Sequence, residues 1–134
     1  MARRKKGNYV IQAVDKALDL LEQFNGDRDE LGVTELSNRL NLHKNNVFRL
    51  LATLETKGYI EQNKATENYR LGVKSLELGQ AFIKQLGFVR PVKPFLKEIV
   101  EKCNETAYLG IIRQNFAVYV DMEEANQIVK VVNR

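Results

Sequence analysis

The stretch "HKNNVFRLLATLETKGYI", residues 43–60, predicts a helix that ends at Gly58. Apolar side chains recur at helical spacing along one side, and polar side chains recur along another. The apolar stripe is Val47, Leu50, Leu51 and Leu54, and the polar stripe is Asn46, Arg49 and Thr53. The first turn nevertheless holds Asn45 and Asn46, which support a helix less well than Ala, Glu or Lys. Helix stability therefore does not explain these two asparagines.

Patterns before this stretch predict two more helices. The run "YVIQAVDKALDLLEQF", residues 9–24, has helical spacing, and "VTELSNRLNL", residues 33–42, predicts a shorter helix that Thr34 caps and Asn41 ends. The side of the first helix that we expect to face the core is Val10, Val14, Leu18, Leu21 and Phe24. A long helix thus precedes a short one.

A two-stranded hairpin is predicted after Gly58. The runs "YIEQN" and "NYRLG" alternate apolar and polar residues and are separated by "KATE". Helix, short helix, helix and hairpin, in this order, make a winged helix-turn-helix. In that fold the third helix enters the major groove of DNA, and the hairpin, called the wing, lies beside it.

This fold offers a reason for the two asparagines. An asparagine amide can donate to adenine and accept from it, and a good bidentate contact discriminates by about 1 to 3 kcal/mol, against a few tenths of a kcal/mol of lost helix propensity. The alternative is that Asn45 and Asn46 only satisfy free N–H groups at the helix start. Phe48, at the edge of the apolar stripe, is expected to pack against the first helix.

The composition limits the possible functions. The 134 residues are 44% apolar and 28% charged, as in a soluble folded chain with one core and part of a second. No apolar run approaches the roughly 20 residues of a membrane span, so we expect a cytoplasmic protein without a membrane partner. One cysteine and one histidine cannot form a disulfide or a zinc cluster, and no cofactor or metal is predicted. No nucleophile with an activating base is apparent, so an enzyme is not expected.

Basic residues cluster where a polyanion could approach. The net charge is +4, four bases occupy residues 3–6, and no acid lies between Glu35 and Glu55. The basic start could equally be a simple disordered tail, and Lys44 and Arg49 could be plain solvated charges. The predicted DNA contacts are Arg3, Arg4, Thr34, Lys44, Asn45, Asn46, Arg49, Thr53, Lys64, Asn68, Tyr69 and Arg70.

Several blocks of the sequence resemble the IclR family of bacterial transcription regulators. They are "VDKALDLLEQF", "VTELSNRLNLHKNNVFRLLATLETKGYIEQN" and "YRLGVKSLELGQAF". The run "VRPVKPFLKEIVEKCNETAYLGIIRQNFAVYVDMEE" is similar to the start of that family's effector-binding domain. The resemblance therefore covers nearly the whole chain.

The resemblance implies a dimer, often a dimer of dimers, that binds double-stranded DNA, represses or activates a nearby operon and responds to a small metabolite. By position, it implies that residues 44–49 read DNA and that residues 60–71 form the wing. Two departures from the family pattern occur. His43 to Asn46 replace a usual proline, lysine and small hydroxylated residues, and Phe48 stands where a histidine is frequent. A different operator sequence is expected.

The segment "VKSLELGQAFIKQLGF", residues 73–88, predicts a linker helix with two apolar sides. Val73, Leu76 and Ile83 lie on one side, and Leu78, Phe82 and Leu86 lie on the other. One side could pack on the winged domain while the other meets a second subunit in a twofold dimer. Alternatively, both sides could be buried within one chain.

The last third predicts a helix and three strands, "TAYLGIIRQ", "FAVYVDMEE" and "IVKVVNR". The resembling family's effector domain continues well beyond this point. The chain could be a shortened regulator that completes its sheet by dimerising, a fragment, or partly disordered at its end. We favour a truncated chain with an incomplete pocket, and expect a small-molecule effector to bind only if missing sequence completes it.

The predicted fold class is α+β. We expect a basic arm at residues 1–8, a winged helix-turn-helix at 9–72, a linker and dimerisation helix at 73–88, and an incomplete effector-type domain at 89–134. The predicted function is a sequence-specific DNA-binding transcription regulator. The alternative is a winged helix that binds proteins without reading DNA.

Overall fold

The computed structural model describes residues 6–126, which fall into two compact units that divide after Glu77. The first unit begins with a 3-10 turn at Lys6–Tyr9 and contains three helices, α1 to α3, two strands, β1 and β2, and the start of a fourth helix, α4. The bounds are Gln12–Glu22 for α1, Val33–Leu40 for α2, Lys44–Thr56 for α3, Ile60–Gln62 for β1, Tyr69–Leu71 for β2 and Val73–Leu86 for α4. The predicted order of helix, short helix, helix and hairpin is confirmed.

A single core joins all of the elements from α1 to β2. Its buried side chains come from each of them and from the segment before α2, and each fully buried Leu or Ile contributes about 1.5 to 3 kcal/mol of transfer free energy. They are Leu20, Phe24, Leu31, Leu36, Val47, Leu51, Leu54, Ile60 and Tyr69. One side of α3 is buried through Val47, Leu51 and Leu54, so its other side faces solvent.

Helix α1 turns a different side inward from the one predicted. Leu20 is fully buried and Phe24 nearly so, whereas Val10, Val14 and Leu18 are about half exposed. The helix is apolar on two sides, and spacing alone does not say which side meets the core. The prediction was therefore right for Phe24 and for Leu21, which packs against the core, and wrong for these three residues.

The start of α2 also differs from the prediction. Gly32 is the N-cap, in an extended conformation, and no side chain caps this helix. Since the helix begins at Val33, Thr34 already lies within the first turn, so its predicted capping role is wrong. The predicted end is confirmed, because Asn41 closes α2 in the left-handed conformation at φ 53°.

The wing is an antiparallel pair in which Ile60, Glu61 and Gln62 face Leu71, Arg70 and Tyr69 respectively. An isolated bridge adds Leu31 to its other edge: the Leu31 N–H donates to the Tyr69 carbonyl at 2.9 Å, and the Tyr69 N–H donates back at 2.8 Å. The segment before α2 thus extends the wing by one backbone pairing.

The second unit holds the end of α4, a helix α5 at Val89–Cys103, and strands β3 at Ala107–Arg113 and β4 at Phe116–Glu123. The strands pair antiparallel with a register shift between Leu109 and Gly110, and Gln114 and Asn115 turn the chain with positive φ. The predicted third strand, "IVKVVNR", lies outside the described residues. The predicted α+β class is confirmed.

Candidate nucleic-acid interface

The solvent side of α3 carries every polar residue that the sequence assigned to it. Lys44, Asn45, Asn46, Arg49 and Thr53 are all exposed. Asn45, Arg49 and Thr53 lie on the side opposite the buried Val47, Leu51 and Leu54, whereas Lys44 lies at the start of the helix, one turn before Val47. The turn between Asn41 and Lys44 fixes where this face begins, because the Leu42 N–H donates to the Ser37 carbonyl and the Val47 N–H to the His43 carbonyl, both at 3.1 Å.

The two asparagines are free to bind something else. Neither Asn45 nor Asn46 forms a side-chain hydrogen bond with any of residues 6–126, and the N-cap residue His43 makes no side-chain cap bond. Within that part of the chain the capping explanation for the asparagines is therefore wrong. Thr53 is different, since its hydroxyl donates to the Arg49 carbonyl of its own helix at 2.9 Å.

The charges on this face favour an anion. Lys44 and Arg49 have no ion-pair partner within residues 6–126, and the first acid of α3 is Glu55, in its last turn. The free N–H groups of the first turn add a partial positive charge at the same end. Two cations and two amides thus share a surface without a nearby carboxylate on α3.

Phe48 is 54% exposed on α3, so the prediction that it packs against α1 is wrong. One residue after Val47, it is rotated by about 100° from the buried direction, beyond the reach of the core. It places an aromatic ring beside Lys44 and Asn45, one turn earlier on the helix. Apolar side chains in such positions can contact the methyl group of thymine.

The wing contains one prediction that the structure contradicts. Tyr69 is only 4% exposed and belongs to the core, so its ring cannot contact DNA. Burial raises the pKa of its phenol. Its predicted role came from its neighbours at the hairpin tip, whereas the strand alternation turns it inward next to Leu31.

Arg70 lies in the wing and forms ion pairs with two acidic residues. Its Nε donates to Glu61 Oε1 at 2.6 Å, and its Nη1 lies 3.5 Å from Glu30 Oε1. The hydrogen bond to Glu61 raises the pKa of Arg70 further above its ordinary value. A DNA phosphate would have to compete with two carboxylates for this guanidinium.

The other residues of the wing tip are more accessible. Lys64 is exposed, without an ion pair to any of residues 6–126. Asn68 is half-buried, and a Cβ on Gly32 would lie 2.9 Å from its Oδ1, so the missing side chain at Gly32 makes room for it. Thr34 is exposed in the first turn of α2. Arg3 and Arg4 lie outside the described residues.

Glu30 was missed by sequence reasoning. Its two carboxylate oxygens accept hydrogen bonds from Asn63 Nδ2 at 2.8 Å and from Thr66 Oγ1 at 3.2 Å. The bond from Asn63 is the main cause that lowers the pKa of Glu30, with smaller contributions from Thr66 and Arg70, while burial works against the shift. Residues more than thirty positions apart carry no local signal of such a contact.

Neither a metal site nor a membrane helix emerges from the described part of the chain. Residues 6–126 bring together no group of three His, Cys, Asp or Glu side chains suited to a metal ion. None of the helices in this range is long and apolar enough to cross a membrane.

The three helices, the wing and the polar face of α3 define a winged helix-turn-helix protein. Residues 13–64 match the model of the IclR helix-turn-helix domain. The chain therefore contains a helix-turn-helix domain of the IclR family, as its sequence blocks predicted.

Known proteins extend the similarity beyond this domain. The chain is 35% identical over 115 residues to the HTH-type transcriptional regulator XynR of Escherichia coli K12, an alignment that covers 86% of this chain and 46% of XynR. It is 30% identical over 120 residues to the HTH-type transcriptional regulator BhcR of Paracoccus denitrificans. That alignment covers 90% of this chain and 43% of BhcR. These names agree with the prediction that the chain is not an enzyme.

A solved structure supports the same fold. The crystal structure of a putative IclR transcriptional regulator from Silicibacter sp. TM1040 matches with a TM-score of 0.77 at 28% identity, covering 91% of this chain and 48% of that one. The chain spans less than half the length of the curated relatives described above.

Proposed function

We propose that this chain binds double-stranded DNA as a transcription regulator, with α3 in the major groove and the wing along the phosphates. The observation that carries this proposal is the exposed, unpartnered set of Asn45, Asn46 and Arg49 on a helix whose opposite side is buried. A recognition helix needs this combination, because rigid attachment aims the side chains and free hydrogen-bonding groups read the bases.

Each side chain of this face has a role in the proposal. The amides of Asn45 and Asn46 pair with adenine edges, Arg49 pairs with guanine or a phosphate, and Lys44 neutralises a phosphate at the helix start. Thr53 donates its hydroxyl to a phosphate only by giving up its bond to the Arg49 carbonyl.

Three polar side chains outside α3 complete the predicted set. Lys64 and Asn68 contact the duplex from the wing, and Thr34 contacts a phosphate from α2. The basic arm with Arg3 and Arg4 supplies further cations to phosphates or the minor groove. Arg70 contributes only when the duplex displaces it from Glu61.

The working unit is proposed to be a homodimer, with a dimer of dimers on longer operators. Val14 and Leu18 lie one turn apart on the solvent side of α1, and Val10 is exposed just before the helix begins. Exposed apolar residues one turn apart on a helix make a seam that a second copy can cover. A twofold axis through such a seam would present two α3 helices to half-sites about one DNA turn apart.

The remaining parts follow from the same proposal. Residues 1–8 act as the arm, 9–72 bind DNA, 73–88 form the linker and dimerisation helix, and 89–134 belong to an effector-type domain that binds a small molecule only with sequence beyond this chain. The protein would act as repressor or activator in the bacterial cytoplasm, where its DNA lies.

The proposal is tested by binding to a random-sequence duplex over a salt series. For each phosphate neutralised, the logarithm of the binding constant should fall with slope about −0.9 against the logarithm of salt concentration. Arg49→Ala should weaken binding while Arg113→Ala, which removes the same charge from an exposed site in β3, should not. Absent or salt-independent binding would instead favour a protein-interaction module. A footprint on selected genomic DNA would then identify the operator.

A further inference from the structure

The wing turn is tied to the segment before α2 by one carboxylate. Glu30 accepts from Asn63 Nδ2 at 2.8 Å and from Thr66 Oγ1 at 3.2 Å, one bond to each oxygen. These two donors lie on either side of the wing tip, which carries Lys64 between them. The carboxylate therefore holds both ends of the short segment that presents this lysine.

The backbone places Glu30 for this task. Leu31, the next residue, is bonded in both directions to Tyr69 through its backbone, at 2.9 and 2.8 Å. In that antiparallel register Glu30 comes beside Arg70, and the guanidinium lies 3.5 Å from its carboxylate. The pairing therefore holds the backbone of Glu30 beside the wing, within side-chain reach of its turn.

The wing tip is also braced internally, by bonds from its own backbone N–H groups to its own side chains. The Ala65 N–H donates to Asn63 Oδ1 at 3.0 Å, and the Asn68 N–H donates to Thr66 Oγ1 at 3.3 Å. These bonds shape the turn without relating it to the rest of the domain. Among the side-chain hydrogen bonds of residues 6–126, only those to Glu30 connect the tip to the segment between α1 and α2.

We propose that Glu30 is a positioning residue for DNA binding, which orients the wing tip through its two hydrogen bonds so that Lys64 reaches a phosphate. This inference rests on the function proposed above. DNA would repel an acidic residue on its own, but Glu30 would here support the contact that Lys64 makes with a phosphate.

The test is a double-mutant cycle between Glu30 and Lys64, read as salt-dependent binding to a random-sequence duplex. In the wild-type chain Lys64→Ala should reduce the magnitude of the salt slope by about 0.9, the loss of one phosphate contact. In the Glu30→Leu background, which keeps the volume but removes both acceptors, Lys64→Ala should change the slope little. A merely structural role would lower the melting temperature of Glu30→Leu and leave the effect of Lys64→Ala intact.

Glu30→Gln is the matched control, and it also serves if Glu30→Leu does not fold. The Gln carbonyl can accept from Asn63 and its amide can donate to the Thr66 hydroxyl, while the charge beside Arg70 is lost. The full Lys64→Ala effect should persist in this background, and its loss there would overturn the hydrogen-bond mechanism. Additive effects in Glu30→Leu, or no effect of Lys64→Ala in the wild type, would overturn the inference while salt-dependent binding of the wild type still stands. Absence of that binding would instead overturn the proposed function.

Discussion

The backbone of Gly72 lies directly against the carbonyl group of Gly58, where the chain leaves the wing and starts α4. A Cβ built on Gly72 would clash with the Gly58 oxygen and lie 3.0 Å from its carbonyl carbon and 3.2 Å from the Ile60 nitrogen. The Lys74 N–H donates to the same Gly58 carbonyl at 3.1 Å. Because these neighbours are backbone atoms, they cannot rotate away.

Gly72→Ala should therefore destabilise the first unit. We expect the free energy of unfolding to fall by about 1 to 3 kcal/mol, the usual cost of forcing extra volume into a packed site. Urea unfolding followed by circular dichroism would measure it. Gly26→Ala is the control, since a Cβ there meets nothing within 4 Å, and an equal loss in both variants would contradict the explanation.

Leu51→Ala should cost more stability than Leu50→Ala. Leu51 is fully buried, so its truncation should leave a cavity and remove about 3 to 5 kcal/mol from the free energy of unfolding. Leu50 is only partly buried at the edge of the core, and its loss should be clearly smaller. The sequence pattern placed both leucines in one stripe and did not distinguish them. Equal losses in urea unfolding would show that the edge of the core packs as tightly as its centre.

Leu18→Glu should dissociate the proposed dimer without unfolding the chain. Leu18 is exposed on α1, so the glutamate remains hydrated in a monomer but would be buried in the apolar seam of a dimer. Sedimentation equilibrium would report the mass, with Gln12→Glu at another exposed position of the same helix as the control. A dimeric Leu18→Glu variant would place the dimer contact elsewhere.

Asn45→Ala should reduce sequence preference rather than general affinity. The amide carries no charge, so its removal should leave the salt slope unchanged while binding to the selected operator weakens by about 1 to 3 kcal/mol. Competition between operator and random duplex, measured at one salt concentration, separates sequence preference from general affinity for DNA. Thr56→Ala, in the last turn of α3, is the control, because its hydroxyl is already used by the Ala52 carbonyl. A parallel loss on both duplexes would exclude base reading by Asn45.

Stability should fall in acid partly through Glu30. Its pKa is lowered in the folded chain, chiefly by the hydrogen bond from Asn63, so the carboxylate stabilises the fold above its ordinary pKa of 4.5. That contribution is lost as the pH falls through this value toward the lowered pKa. The free energy of unfolding should therefore decline less steeply in Glu30→Gln than in the wild type between about pH 5 and about pH 3. Identical slopes would show that the carboxylate has little effect on folding.

Much of the fold was predictable because helices and hairpins produce recognisable patterns over short stretches of sequence. The spacing of Val47, Leu51 and Leu54 predicted α3, Asn41 predicted the end of α2, and alternation around "KATE" predicted the wing. The polar face of α3 followed from the same periodicity, since the side opposite a buried stripe must face water.

The errors arose where a choice depended on distant residues. The inward side of α1, the exposure of Phe48 and the burial of Tyr69 were each decided by which surfaces meet in the core. Thr34 was a plausible cap by residue type, but the N-cap is Gly32, two residues earlier, directly after Leu31, which pairs with the wing.

The amino-acid sequence by itself determined the order of the elements, the family and the polar face of α3, because these depend on residues within a few turns of each other. Only the tertiary structure decided that Glu30 lies beside Arg70, and that Glu30 holds the wing turn through Asn63 and Thr66. Contacts between residues more than thirty positions apart form only when the core brings their segments together, so no local pattern encodes them.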